Sequence, residues 1–136
     1  MNITISTDNN LLNTETIFQM LGSAYWSKNR SRATILKSLA HSLNFGAYLN
    51  GQMIGFARVV TDYAVFAYLC DVIVVEAYQG QGVGKALMNA VLVHSELQGI
   101  RRFMLATKDA HGLYKQFGFE AISTPEKWME RFDLSA

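Results

Sequence analysis

Three glycines at alternate positions, Gly80, Gly82 and Gly84, separate an apolar run, Val72 to Val75, from a segment with helical periodicity. That spacing suits phosphate chemistry. Glycine lets a turn adopt conformations closed to other residues and lets a ligand approach the backbone. The first N–H groups of the following helix have no internal acceptors and carry the positive end of its dipole. Together these features make an anion site. Two common phosphate loops do not fit. A P-loop counted back from Gly84 would need glycine at Gln79 and a hydroxyl residue at Ala86. A dinucleotide fingerprint would need its third glycine at Lys85 or at Leu87. A ligand-free glycine turn would be costly, since each glycine costs roughly 1 kcal/mol against alanine where nothing requires it.

The elements that must position this turn can be read from periodicity. Residues 14–21 predict a short helix with Ile17, Phe18 and Leu21 on one face. Tyr25 and Trp26 follow in a loop, and Ser31 caps a second helix striped by Ile35, Leu36, Leu39 and Leu43. Phe45, Ala47 and Leu49 then alternate up to Asn50-Gly51, a tight hairpin signal, with a return strand from about Met53 to Val60. Tyr68 to Val75 is nearly all apolar and predicts a strand covered on both faces. The clearest helix carries Val83, Ala86, Leu87, Ala90, Val91, His94 and Leu97, and ends at Gly99. A strand over Arg102–Ala106 follows. Asp109 is placed to cap a last helix with Leu113, Tyr114 and Phe117, which Gly118 stops. Residues 119–133 predict one or two closing strands. The order α-α-β-β-β-α-β-α-β is that of an α/β (α+β) chain with an antiparallel start. Its strands on either side of the 83–97 helix should lie parallel. No domain boundary is visible, so residues 1–136 read as one domain.

Two segments carry a family resemblance. Gln79-x-x-Gly82-x-Gly84 resembles the Arg/Gln-x-x-Gly-x-Gly/Ala signature of the GNAT superfamily of acyl-CoA N-acyltransferases. Leu113-Tyr114-Lys115-Gln116-Phe117-Gly118-Phe119 resembles that family's later Leu-Tyr-x-x-x-Gly-Phe signature. The element order over nearly the whole chain also fits. The resemblance implies a mixed, mostly antiparallel sheet flanked by helices, with a splayed parallel strand pair at the cofactor site. It implies acetyl-CoA as donor, its pyrophosphate on the backbone of Gln79, Gly80, Gln81, Gly82, Val83, Gly84 and Lys85. Its pantetheine arm would pair with Val72, Ile73 and Val74. A primary amine of a small molecule or peptide would attack the thioester directly, in a ternary complex.

Within that frame Tyr114 is the position the motif marks as general acid, protonating the departing sulfur. Its place on an apolar stripe also allows simple packing. Asp71 is the first candidate base, in an apolar setting that could raise its pKa, and Glu76 the second. The alternative for Asp71 is a structural carboxylate held by a backbone N–H or an arginine. Asp109 falls near a family cofactor contact, although the segment before Tyr114 is about two residues shorter than is common in the family, which favours a capping role. Tyr25, Trp26 and Arg30 fall where the family forms part of its acceptor pocket, and Asp62 and Tyr63 near where it closes. Cys70, on a buried strand, reads as an inert small hydrophobe, and His111 as a surface residue.

Composition narrows the classes. The chain has 136 residues, is 17% charged and has a net charge of +1, with no basic run to attract nucleic acid. One cysteine, no basic-then-apolar leader and no run of ~20 apolar residues predict a cytoplasmic protein without a membrane span. His41, His94 and His111 share no ligand spacing, so no metal is expected. The resemblance also implies homodimerisation, for which Trp128, Met129 and Phe132 offer an edge. The competing function is a catalytically silent acyl-CoA-binding regulatory module of the same fold.

Overall fold

Asn50 and Gly51 take φ values of 51° and 79°, the left-handed pair a two-residue hairpin turn needs. That turn sits near the start of a five-stranded sheet in the computed structural model, which describes residues 1–136. The strands are β1 (Thr4–Ser6), β2 (Leu43–Leu49), β3 (Gln52–Thr61), β4 (Phe66–Val74) and β5 (Arg102–Leu105), adjacent in that order. All neighbours pair antiparallel except β4 and β5, which run parallel. The helices are α1 (Thr14–Ser23), α2 (Arg32–Ala40), α3 (Val83–Val93) and α4 (His111–Lys115). The fold class is therefore the mixed α/β arrangement expected. The chain forms two compact units, residues 1–106 and 107–136.

The sheet of the first unit has a core on each face. A Cβ placed on Gly55 would come within 3.0 Å of Val83 and 3.2 Å of Leu87, so β3 needs glycine there to let α3 approach. The next residue, Phe56, points the other way and packs with Ile17 and Leu21 of α1 and Ile35 and Leu39 of α2. The caps are as the sequence directs. Asn13 accepts the Thr16 N–H at 3.1 Å, and Ser31 accepts the Thr34 N–H at 3.1 Å. In the second unit, Gly118 takes φ 89°. The Gly118 and Phe119 N–H groups close α4 on the Lys115 and Tyr114 carbonyls, at 3.1 and 3.2 Å.

Several expectations are corrected. The 83–97 helix ends at Val93, because His94 turns extended and its Nδ1 accepts the Glu96 N–H at 3.1 Å, opening a separate 3-10 turn, Ser95–Leu97. Leu97 is nevertheless buried, which is why the apolar helical spacing of the sequence continues past the end of the helix. In α2, Leu36 is exposed, and Leu43 belongs to β2. β4 is not covered on both faces: Ala67 and Leu69 are buried, while Phe66 and Tyr68 are each 37% exposed. Residues 119–133 form no strand, only a 3-10 turn at Pro125–Lys127. Trp128, Met129 and Phe132 are exposed there and belong to no strand. β1 is an added edge strand whose three residues are too few to show a period.

Candidate active site

β4 carries a bulge. Phe56 pairs with Ile73 and Arg58 with Cys70, so Ala57 alone faces Asp71 and Val72. Asp71 absorbs the extra residue with φ 54°, a left-handed conformation that aspartate tolerates better than most residues. The twist aims its carboxylate at the α1/α2 face, where four donor contacts meet it. The Trp26 indole Nε1–H reaches Oδ1 at 2.9 Å. One terminal nitrogen of Arg30 straddles both oxygens, at 3.0 and 2.9 Å. Arg58 Nε donates to Oδ2 at 2.9 Å, and its Nη1 donates to Ser42 Oγ at 3.0 Å.

The surroundings of Asp71 are thus not the apolar ones expected, and the direction of its pKa is corrected. Burial pushes the carboxyl up, but the hydrogen bonds and charges of Arg30 and Arg58 outweigh burial and hold it below the ordinary value. A carboxylate held this way is a weak base. Glu76, the second candidate, is exposed in a 3-10 turn, Glu76–Tyr78. Cys70 is half-buried, its thiol donating to the Arg58 carbonyl at 3.4 Å, and burial pushes its pKa up to about 11. It is protonated at neutral pH and a poor nucleophile.

The loop after α1 is drawn onto β4 through Trp26 and Arg30. Ser27, also buried, donates to the Leu21 carbonyl at 2.7 Å and holds the loop to α1. Tyr25 stays 60% exposed with its ring edge-on to Trp26 at 5.2 Å. On the same face, Tyr68 feels the charges of Asp71, Arg58 and Arg30, and burial raises its phenol pKa. Asp62 has a different task from lining a pocket: its Oδ1 accepts N–H bonds from Ala64, Val65 and Phe66 and shapes the β3–β4 turn.

The glycine turn has the properties a diphosphate needs. Gly80 and Gly82 take φ 76° and 86°. Gly82 is the N-cap of α3 and offers no side chain. The first α3 bond runs from the Ala86 N–H to the Gly82 carbonyl at 3.0 Å, so the Val83, Gly84 and Lys85 N–H groups lie ahead of the helical ladder. A Cβ on Gly80, Gly82 or Gly84 would meet nothing within 4 Å, so the space over the turn is open. Gln79 and Gln81 brace the turn by donating to the Val74 and Ala77 carbonyls, at 3.0 and 3.2 Å. β4 is open beside it. Its pairing with β5 stops at Leu69–Leu105, whereas β4 runs on through Val72 and Ile73 to Val74. Apart from the Val74 carbonyl, which accepts from Gln79, the backbone on that side is available to an extended amide chain. These features fit the phosphates and amides of coenzyme A.

In the second unit, Tyr114 is half-buried in α4 and stands edge-on to Phe119 at 6.2 Å between centroids. Burial raises its phenol pKa, so it holds its proton at neutral pH. Asp109 does not cap α4: the N-cap is Ala110, whose N–H is taken by Thr107 Oγ1 at 3.1 Å. Asp109 and His111 are both exposed.

The structure gathers Trp26, Arg30 and Asp71 into one cluster. Arg58 is the member that sequence reasoning missed. Its signal was a lone charge within the apolar run Met53 to Val60, matched by Asp71 as the lone charge of the adjacent apolar strand.

The sequence profile of the Acetyltransferase (GNAT) family matches residues 13–119. A crystal structure from Xanthomonas campestris pv. campestris, assigned to the GNAT family, superposes with a TM-score of 0.95 at 46% identity, covering 98% of this chain and 94% of that one. An N-acetyltransferase of the ycf52-like type from Prochlorococcus marinus is 37% identical over 92 residues, 64% of this chain and 51% of that protein. A soybean (Glycine max) protein named histone acetyltransferase is 38% identical over 73 residues, 52% of this chain and 31% of that protein. The chain thus spans about half and about a third of the length of these two relatives. No helix is long and apolar enough to cross a membrane.

Proposed function

The chain belongs to the GNAT family of acetyltransferases, and on that premise we propose that it transfers an acetyl group from acetyl-CoA to a primary amine of a small molecule or peptide, by direct attack in a ternary complex. The observation that carries this reading is the uncapped, glycine-lined start of α3 next to the end of β4, where β4 pairs with β3 but no longer with β5. The family match spans both compact units, which supports reading 1–136 as one acetyltransferase domain.

Bound acetyl-CoA supplies an activated acetyl thioester. The N–H groups of Val83, Gly84 and Lys85, with the turn from Gln79 to Gly82, hold the diphosphate through the positive end of α3. Val72, Ile73 and Val74 offer backbone partners to the pantetheine amides, and the edge near Val74 offers an N–H to the acetyl carbonyl. Tyr114 keeps a proton on its hydroxyl for the leaving sulfur, a role its family motif suggests and its raised pKa supports. We assign Asp71 a positioning role in place of the base: it fixes Trp26 and Arg30 against β4. Much of the rate then comes from holding amine and thioester together.

The test is calorimetric titration with acetyl-CoA followed by a thiol-release assay over a panel of amines. Binding with release on at least one amine is expected. Binding without release on every amine would indicate the silent acyl-CoA-binding module instead, and no binding would remove both readings.

A further inference from the structure

Two guanidinium groups share one carboxylate at the β4 bulge. Asp71 is the sole acidic partner of both Arg30 and Arg58, so the cluster carries one positive charge in excess. It is largely withdrawn from water: the arginine side chains are 27% and 14% exposed and that of Asp71 is 1% exposed. An unbalanced charge in such a place is costly unless an anion completes it. Each arginine also keeps donors in hand. Arg30 bonds through Nη1 alone, leaving Nε and Nη2, while Arg58 uses Nε and Nη1, leaving Nη2. Guanidinium groups with spare donors suit a carboxylate.

The place is as telling as the charge. Asp71 follows Leu69 by two residues, and Leu69 is where β5 stops pairing and the open edge of β4 begins. Arg58 and Cys70 are register partners, and Tyr68 and Val60 are the next pair along the same face. Val60 and Tyr68 are 40% and 37% exposed there, and Trp26, bonded to Asp71, is 42% exposed. An anion site, an apolar shelf and the open stretch of β4 therefore adjoin one another within the first unit.

We propose that the acceptor is an amino compound bearing a carboxylate, received by Arg30 and Arg58, with an apolar body lying against Tyr68 and Trp26. The inference rests on the acetyltransferase reading and names its substrate class: amino acids and related amino carboxylates, with hydrophobic side chains favoured.

Trp26 is a built-in reporter, since its indole N–H bonds the carboxylate that both arginines share. The uniformly 15N-labelled full chain would be titrated at constant ionic strength with N-acetyl-L-phenylalanine, a product analogue, and separately with its primary amide. The acid should move the Trp26 indole resonance with an affinity at least tenfold above that of the amide. The other indole, Trp128, serves as control. Arg30→Gln and Arg58→Gln should each erase the preference, with Arg30→Lys keeping part of it. Equal affinities for acid and amide, or a preference that survives in every variant whose spectrum shows a folded chain, would overturn the proposal. A parallel acetyl-CoA titration follows the Val83, Gly84 and Lys85 amides. Movement there without acid–amide discrimination overturns the acceptor class alone, whereas discrimination without that movement upholds the anion site and removes the acetyltransferase reading.

Discussion

Arg30 and Asp71 lie 41 positions apart in sequence, yet one guanidinium nitrogen contacts both carboxylate oxygens, at 3.0 and 2.9 Å. That contact ties the loop after α1 to the one irregular point of β4. On the proposed function, that loop would line the acceptor site, and the bulge adjoins the β4 edge that would hold the donor.

Asp71→Asn keeps the shape of the side chain and withdraws the charge from two arginines, at an expected cost of about 3 kcal/mol. The folded carboxyl is held below its ordinary value of 3.8. Its contribution is therefore present in full above that value and is lost as pH falls through the lower, folded pKa. Urea titrations should show a steady gap between wild type and variant from roughly pH 7 to 5 that closes below about pH 4. A gap unchanged in strong acid would mean that charge is not what Asp71 contributes.

Gly82 and Gly84 should respond in opposite ways to alanine. Gly82 has φ 86°, so Gly82→Ala should cost about 1 kcal/mol through the backbone and lower acetyl-CoA affinity at least tenfold. Gly84 lies within α3, has no positive φ and has open space around it. Gly84→Ala should stabilise the chain by roughly 0.5–1 kcal/mol and change affinity less than twofold. Thermal unfolding and calorimetric titration of both variants measure this. Matching losses in the two would refute the distinction.

Tyr114→Phe should lower turnover at least tenfold while leaving acetyl-CoA affinity and unfolding temperature nearly unchanged. Because burial raises the phenol pKa, the wild-type rate should show no alkaline decline from this group below about pH 10. Initial rates of thiol release across pH decide the matter, and full activity in the variant would remove the acid role.

Cys70 should be bypassed by the chemistry. With its thiol pKa pushed up to about 11, it should react slowly with a disulfide reagent at pH 8 in the folded chain and rapidly in denaturant. Cys70→Ala should retain at least half of the turnover. A trapped acetyl-thioester on Cys70, seen by mass spectrometry, would argue for a two-step route.

Much of the fold is written locally. Asn50-Gly51 fixes a hairpin register, Ser31 and Asn13 start helices, and Gly118 stops one. Each acts over a few residues, so each is visible in sequence. What escaped depends on neighbours. β1 exists only as a partner to β2, the end of α3 depends on the Glu96 N–H donating to His94 Nδ1, and the 119–133 alternation finds no strand beside it. The site divides the same way. The glycine turn is contiguous and legible. The Asp71 cluster brings together residues 26, 30, 58 and 71 through a bulge, so neither Arg58 nor the lowered pKa of Asp71 could be read from spacing.

Anchoring the loop at Trp26, Ser27 and Arg30 has a consequence for how the chain can diversify. With those three side chains engaged in hydrogen bonds, the path of the loop does not depend on Lys28 or Asn29, both of which face solvent. Mutations at these positions can accumulate without threatening the fold. On the proposed function, the same scaffold could in this way acquire new acceptor preferences by changing two surface letters while keeping its glycine turn intact.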